Sequence, residues 1–335
     1  MTVYPEISVI VPCYNEQDVL QECHRRLAGV LDGMRVSYEC IYIDDGSRDH
    51  TWLQMRELQQ EHPETVVAVA LSRNFGHQPA VSAGLSLSRG NAVLIIDADL
   101  QDPPELIPEM VKLWQQGHDV VYGVRQSRDG ESQFKLWSAK VFYRIINRLS
   151  SVEIPTDTGD FRLIDRRVVD VMVSMPERHR LLRGICSWVG FSQVPLHYQR
   201  QPRFAGVTKY PLDKMIALAL DGIISFSIVP LRLLTIAGIF TAILSVIGIV
   251  WALIARTLTH RWVAGWATLF IGLLFFSGMQ MICLGIMGEY IGRIYTEVKQ
   301  RPLFVIRDVM GAGRSRTGPQ DSIEEADRLG LGNPR

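Results

Sequence analysis

The chain has 335 residues, 47% of them hydrophobic, and 35 Lys and Arg against 35 Asp and Glu, so its formal net charge is zero. A nucleic-acid binder carries a basic surplus, and no nucleic-acid partner is expected of this composition. The five cysteines, Cys13, Cys23, Cys40, Cys186 and Cys283, are odd in number and scattered, with no Cys-x-x-Cys pair to suggest zinc or a redox motif. They read as reduced, structural thiols.

The N-terminal Met-Thr-Val-Tyr-Pro-Glu lacks the basic and apolar regions of a signal peptide, so the first half is expected in the cytoplasm. Short β-rich runs, Ile7 to Val11, Cys40 to Ile43, Val66 to Leu71 and Ala92 to Ile96, then alternate with helical patterns over Glu16 to Leu31, Thr51 to Gln60 and Gln78 to Leu87. This order predicts an α/β fold with a mostly parallel sheet and helices on both faces. Ligands of such sheets bind beyond the carboxyl ends of the strands. Polar clusters stand at those ends: Pro12-Cys13-Tyr14-Asn15-Glu16, Asp44-Asp45-Gly46-Ser47, Ser72-Arg73-Asn74-Phe75-Gly76 and Asp97-Ala98-Asp99. A lone Asp-rich turn is more often a helix cap, as Asp49 ahead of Thr51 can be, but four clusters on one rim predict a site.

Asp97 and Asp99 are two residues apart, and at a strand end both carboxylates can reach one ion. Hard cations such as Mg²⁺ take one or two carboxylates together with phosphate oxygens and water, which suits a nucleotide diphosphate. Pro103 and Pro104 stop the strand, and a helix over Glu105 to Gln115 starts there.

Farther on, Leu212, Met215, Ile216, Ala219, Leu220, Ile223 and Ile224 recur at helical spacing and predict an amphipathic juxtamembrane helix over 211–228, lying at a bilayer surface or packed on the first domain. The uncharged stretches Leu233 to Ala255 and Trp262 to Gly288 are 23 and 27 residues long, enough to span about 30 Å of hydrocarbon as two helices, placed over 229–255 and 262–288. Arg and Lys on the outer flanks outnumber Arg256 and Arg261 in the turn, so both termini are expected to be cytoplasmic and the protein to cross a membrane more than once. The domain plan is thus 1–210 catalytic, then the juxtamembrane helix and two spans, a return segment over 289–310 and a disordered tail over 311–335.

Ile7-Ser8-Val9-Ile10-Val11-Pro12-Cys13-Tyr14-Asn15-Glu16, Ile43-Asp44-Asp45-Gly46-Ser47 and Asp97-Ala98-Asp99-Leu100-Gln101-Asp102-Pro103-Pro104-Glu105 resemble the signatures of family 2 glycosyltransferases with the GT-A fold, and within them the polyprenyl-phosphate sugar transferases. Gly159-Asp160-Phe161-Arg162-Leu163, Gly206-Val207-Thr208-Lys209-Tyr210 and Leu284 to Arg293 resemble the bacterial two-span members, with Thr208 where that motif often has Ser. The resemblance implies metal-dependent, inverting transfer of a hexose, with glucose preferred over mannose, galactose or an aminoarabinose, from a UDP-sugar to undecaprenyl phosphate for cell-envelope glycan modification.

By position, the resemblance implies that Pro12, Tyr14, Glu16 and Asp44 or Asp45 line the nucleoside pocket, and that Asp97, Asp99 and Gln101 hold Mg²⁺ or Mn²⁺. Arg73 reaches the nucleotide or merely solvates a strand end. Arg203 and Lys209 clamp the donor diphosphate, while Arg125, Arg128 and Arg162 meet the acceptor phosphate. Asp157 and Asp160 compete for the role of base; Asp157 aligns better, yet a phosphate monoester is largely dianionic at pH 7 and needs little proton abstraction. A homotetramer, membrane lipids, a flippase and a downstream transferase are the implied partners. Three rivals are a processive synthase, whose Gln-x-x-Arg-Trp motif is lacking because Leu258 stands at the Gln position, a nucleotidyltransferase and a non-catalytic membrane scaffold.

Overall fold

The computed structural model describes residues 4–125, 158–178, 180–199, 229–259 and 265–311. The expected juxtamembrane helix over 211–228 and the tail beyond 311 lie outside the described residues. Two compact units are distinguished, one holding the described residues up to 199 together with 302–311, the other those from 229 to 301.

The first unit is built on an eight-stranded sheet: β1 (Ile7–Cys13), β2 (Tyr38–Asp44), β3 (Val66–Leu71), β4 (Ala92–Ile95), β5 (Val120–Arg125), β6 (Thr158–Asp165), β7 (Gln193–Tyr198) and β8 (Ile306–Met310). Their spatial order is β7-β5-β6-β4-β1-β2-β3-β8. Strands β1 to β4 pair in parallel, as their continuously apolar runs require when both faces are covered. β6 runs antiparallel between β4 and β5, and β8 antiparallel along β3. The carboxyl ends of β1 to β5 and the start of β6 therefore share one rim.

Alternation along β1 divides the core. Ile7, Val9, Val11 and Cys13 pack with Leu20, Cys23, Leu27 and Leu31 of α1 (Leu20–Met34), Met55 and Leu58 of α2 (Thr51–Glu61), and Met110 of α4 (Ile107–Gln115). Ile10 faces the other layer, made by α3 (His77–Leu87), α5 (Arg166–Ser174) and α6 (Leu182–Val189). These are the helices on both faces that the strand order predicts.

Two helix starts differ from expectation for local reasons. α1 begins at Leu20 and not at Glu16, because the intervening backbone is held sideways: Glu16 N–H donates to Thr51 Oγ1 at 2.9 Å and Gln17 N–H to Asp49 Oδ2 at 3.4 Å. Before α4, Pro104–Leu106 form a single 3₁₀ turn. Asp49 also accepts the N–H and hydroxyl of Thr51, the first residue of α2, and so ties the start of that helix to the first loop, although the N-cap position itself is His50.

His24 on α1 is 5% exposed and its Nδ1 lies 2.9 Å from the Tyr42 hydroxyl. Burial, aided by the neighbouring His62, pulls its pKa from 6.5 down to about 4 against the opposing pull of Asp32. The unfolded chain binds this proton below about pH 6.5 and the folded one only near pH 4, so stability is full above 6.5 and declines as pH falls between those values. The loss is bounded at about 3 kcal/mol. We expect the thermal unfolding midpoint to fall from pH 6.5 to 4.5, and to fall less in His24→Gln; equal slopes would refute the assignment.

The second unit holds α7 (Val229–Thr259) and α8 (Trp266–Val298), 31 and 33 residues long. Over the described residues alone, no helix is long and apolar enough to cross a membrane, and only some side chains of the apolar stretches are among those described. The two expected spans are therefore not established by the fold. α8 starts at Trp266, four residues after the expected boundary, and runs ten residues past Gly288 into a charged turn where Arg293 Nε lies 3.7 Å from Glu289 Oε1, one helical turn away. The chain then enters the first unit as β8, and just ahead of that strand the Val305 carbonyl accepts the Ser72 N–H at 2.8 Å.

Candidate active site

The rim is stitched by side chains that bond the backbone of the next loop. Asn15, in the left-handed region at φ 54, takes the Arg48 N–H on Oδ1 at 2.9 Å, and its own N–H donates to Ser47 Oγ at 3.0 Å. Asp44 Oδ1 accepts the Ser47 N–H at 2.9 Å. Asp45 reaches across to the third strand end, where its two oxygens accept the N–H groups of Phe75 and Gly76 at 2.7 and 2.9 Å. Both carboxylates expected at the nucleoside pocket are thus buried and bonded to backbone, so they shape the loops. Tyr14 and Glu16 are half-buried on the same rim, Pro12 is buried, and Arg73 is exposed with its guanidinium 4.0 Å above the Phe75 ring.

Past β4 the chain turns sharply at Leu100, whose φ is 58, and Asp99 Oδ1 accepts the Gln101 N–H at 3.1 Å. Asp97, a third exposed, lies 3.8 Å from His77 Nε2. Partial burial raises the Asp97 pKa; His77 pulls it back, and the carboxylates of Asp102, Asp160 and Asp99 push it up again, to about 6. Asp160, on β6, accepts from His77 Nε2 at 3.1 Å and from Gln78 Nε2 at 2.9 Å, with Arg183 Nε at 3.9 Å. Burial alone would raise its pKa, but the His77 hydrogen bond and the charges of Arg183, His77 and Arg162 hold it well below the usual carboxylate range. An anion so stabilised does not accept a proton near neutral pH.

Cations line the neighbouring strands. Arg125 closes β5, with Nε 3.4 Å from the Tyr198 hydroxyl and Nη2 3.8 Å from the buried Asp102; Tyr198 in turn donates to Asp102. A Cβ at Gly159 would sit 2.7 Å from that Nη2, so the missing side chain leaves Arg125 its place over β6. Arg162 is only 3% exposed and donates from Nη2 to the Gly159 carbonyl at 2.9 Å. It therefore braces β6 from below and offers little surface to a ligand. Asp157, Arg128, Arg203 and Lys209 lie outside the described residues.

The sequence profile of "Glycosyl transferase family 2" matches residues 8–172, which contain every strand end of this rim except those of β7 and β8. The chain is 44% identical to the "uncharacterized glycosyltransferase YkcC" of Bacillus subtilis (strain 168) over 94% of its length and 98% of that protein's. The chain belongs to glycosyl transferase family 2. The transferase is also 46% identical to the "uncharacterized glycosyltransferase sll0501" of Synechocystis sp., over 91% of this chain and 96% of that one, and 39% identical to the "SfII prophage-derived bactoprenol glucosyl transferase" of Shigella flexneri, over 90% and 97%. Its sheet is GT-A-like, α/β and mostly parallel, as expected.

The donor set of the transferase suits a hard divalent cation. Asp97 and Asp99 offer two carboxylates at a solvent-accessible strand end, crowded by the further negative charges of Asp102 and Asp160, and a diphosphate and water can complete such a shell. Among the described residues no three His, Cys, Asp or Glu side chains gather round one point. Five residues of the site escaped the sequence reading: His77, Gln78, Asp102, Arg183 and Tyr198. The first two continue the third polar cluster and Asp102 sits inside the quoted acidic motif, so position could have flagged them. Nothing local marks Arg183 or Tyr198.

Proposed function

We propose that the transferase moves a hexose, glucose foremost, from a UDP-sugar to a polyprenyl phosphate at the cytoplasmic face of the inner membrane, with Mg²⁺ or Mn²⁺ bound. The observation that carries this reading is the strand order β4-β6-β5, which sets the acidic pair after β4 and the guanidinium of Arg125 on one rim with only β6 between them. In this reading the acidic end of β4 takes the metal-bound donor and the cationic end of β5 the phosphate acceptor. The name of the Shigella flexneri relative, a bactoprenol glucosyl transferase, supports both the lipid acceptor and glucose.

In this reading the nucleoside lies against Pro12, Tyr14 and Glu16, in loops held by Asp44 and Asp45. Asp97, Asp99 and the Gln101 segment would hold the cation, which when bound supplies charge neutralisation for the departing diphosphate. Arg125, fixed by Asp102 and Tyr198, draws the acceptor phosphate toward the anomeric carbon together with Arg128, while Arg203 and Lys209 clamp the donor diphosphate. The acceptor phosphate has a second pKa near ~6, so it arrives largely ionised; Asp157 orients it and Asp160 stays an anion throughout. Direct displacement inverts the anomeric centre. Positioning two anions against each other is then the main task of the protein.

Membrane attachment through α7 and α8 is part of the proposal. Its support is the uncharged sequence from Leu233 to Ala255 and from Trp262 to Gly288, and the exposed Ile236, Phe240, Ile247 and Trp251 on α7. In water such a surface would drive aggregation, whereas in lipid it is solvated. The test is transfer of radiolabel from UDP-glucose to undecaprenyl phosphate by purified protein in detergent, with and without Mg²⁺ or Mn²⁺. Label is expected in the organic phase only with metal. Transfer from another sugar nucleotide alone would replace glucose, and no transfer from any would overturn the reading.

A further inference from the structure

α3 opens with two polar side chains that both turn to β6. Gln78 donates from Nε2 to Asp160 and accepts the Leu182 N–H on Oε1 at 3.0 Å, which fastens α3 to the start of α6. His77 does something different: its Nε2 stands between a carboxylate of β6 and one of the loop after β4, 3.1 Å from Asp160 Oδ2 and 3.8 Å from Asp97 Oδ1. Asp160 is ionised and can only accept, so the proton of that contact is on Nε2. The backbone that delivers His77 is itself fixed, since Asp45 holds the N–H groups of the two preceding residues. A single run of contacts thus leads from the loop after β2, through Phe75 and Gly76, to the loop after β4 and the first turn of β6. Arg183 extends it, with Nη1 3.3 Å from the Thr158 carbonyl at the start of β6.

We propose that His77 is a positioning residue that sets Asp97 and the start of β6 at one fixed separation, so that the donor-side carboxylate and the acceptor-side strand are aligned by the same ring. This rests on the reading above, in which Asp97 faces the donor diphosphate and β6 borders the acceptor. The ring touches no reacting atom; it acts through Asp97 and Asp160. The hydrogen bond of the ring goes to Asp160, while Asp97 stands at an ion-pair distance of 3.8 Å from the same nitrogen; loss of an outer partner that orients a ligand carboxylate weakens metal affinity or activity about 10–100-fold.

The experiment compares full-length wild type with His77→Ala and His77→Gln, in two arms. Mn²⁺ binding is followed by its paramagnetic resonance signal in the presence of UDP, and sugar transfer is resolved into kcat and acceptor KM. His77→Ala is expected to weaken Mn²⁺ binding and lower kcat by roughly 10–100-fold each, while His77→Gln, which keeps an N–H near Nε2, recovers most of both. Wild-type Mn²⁺ affinity in His77→Ala would overturn the proposal, as would a glutamine variant no better than alanine. Should the alanine variant fail to fold, His77→Asn, with an amide too short to span both carboxylates, is measured instead under the same expectations. Wild-type protein that binds Mn²⁺ with UDP but transfers no sugar overturns the proposed function alone, and the Mn²⁺ arm still decides the role of His77.

Discussion

Asp99→Ala is expected to lower sugar transfer by about 10³-fold, close to 4 kcal/mol of transition-state stabilisation, the scale of a lost Lewis acid. Stability should change little. Asp99 is half-buried, and the bond it accepts from the Gln101 N–H closes a turn worth about 1 kcal/mol. The loss should therefore show in kcat at saturating donor, and excess Mn²⁺ should not restore it. Activity within tenfold of wild type at an unchanged unfolding midpoint would remove Asp99 from the reaction centre.

The second large effect is expected at Gly46. Its φ of 68 lies in the left-handed region, and a Cβ there would stand 2.5 Å from Asn74 N and 2.6 Å from Arg73 C, both backbone atoms. Neither can swing aside as a side-chain tip would. Gly46→Ala combines a left-handed backbone cost of roughly 1–2 kcal/mol with overpacking of about 1–3 kcal/mol. We expect destabilisation of about 2–5 kcal/mol, and a rise in donor KM, because the loop bearing Asp45 must move off the loop bearing Phe75 and Gly76. Thermal unfolding and UDP binding measure the two parts; an alanine variant as stable as wild type would show that the loops part without cost.

The acidic pair was legible because it follows the apolar run Val93-Leu94-Ile95-Ile96, and an Asp at the end of a buried strand has few other reasons to be there. β1 to β4 were legible for the same reason, as continuous apolar runs closed by polar clusters. β6 was not. Its Thr-Gly-Asp-Phe-Arg-Leu-Ile-Asp alternates like a strand with one wet face, yet Asp160 is half-buried and Arg162 buried, Asp160 against partners on α3 and α6 and Arg162 against the Gly159 carbonyl. Those partners are distant in sequence: 83 residues separate His77 from Asp160, and 96 separate Asp102 from Tyr198. No local pattern encodes such pairs. The register of β6 against β4, which sets Ile95 opposite Arg162, is what brings them together.

The place of β8 has a practical consequence for anyone who wants the enzyme without its helices. β3 is Val-Val-Ala-Val-Ala-Leu, buried along its whole length, and its outer edge is covered by a strand encoded beyond both long helices. A gene cut ahead of α7 would therefore yield a protein ending its sheet in six uncharged, β-prone residues with open hydrogen-bonding groups, an edge that recruits a second chain as readily as it recruits β8. The catalytic half is discontinuous in the gene, and a soluble version needs residues 302–311 spliced back by a linker long enough to reach β3.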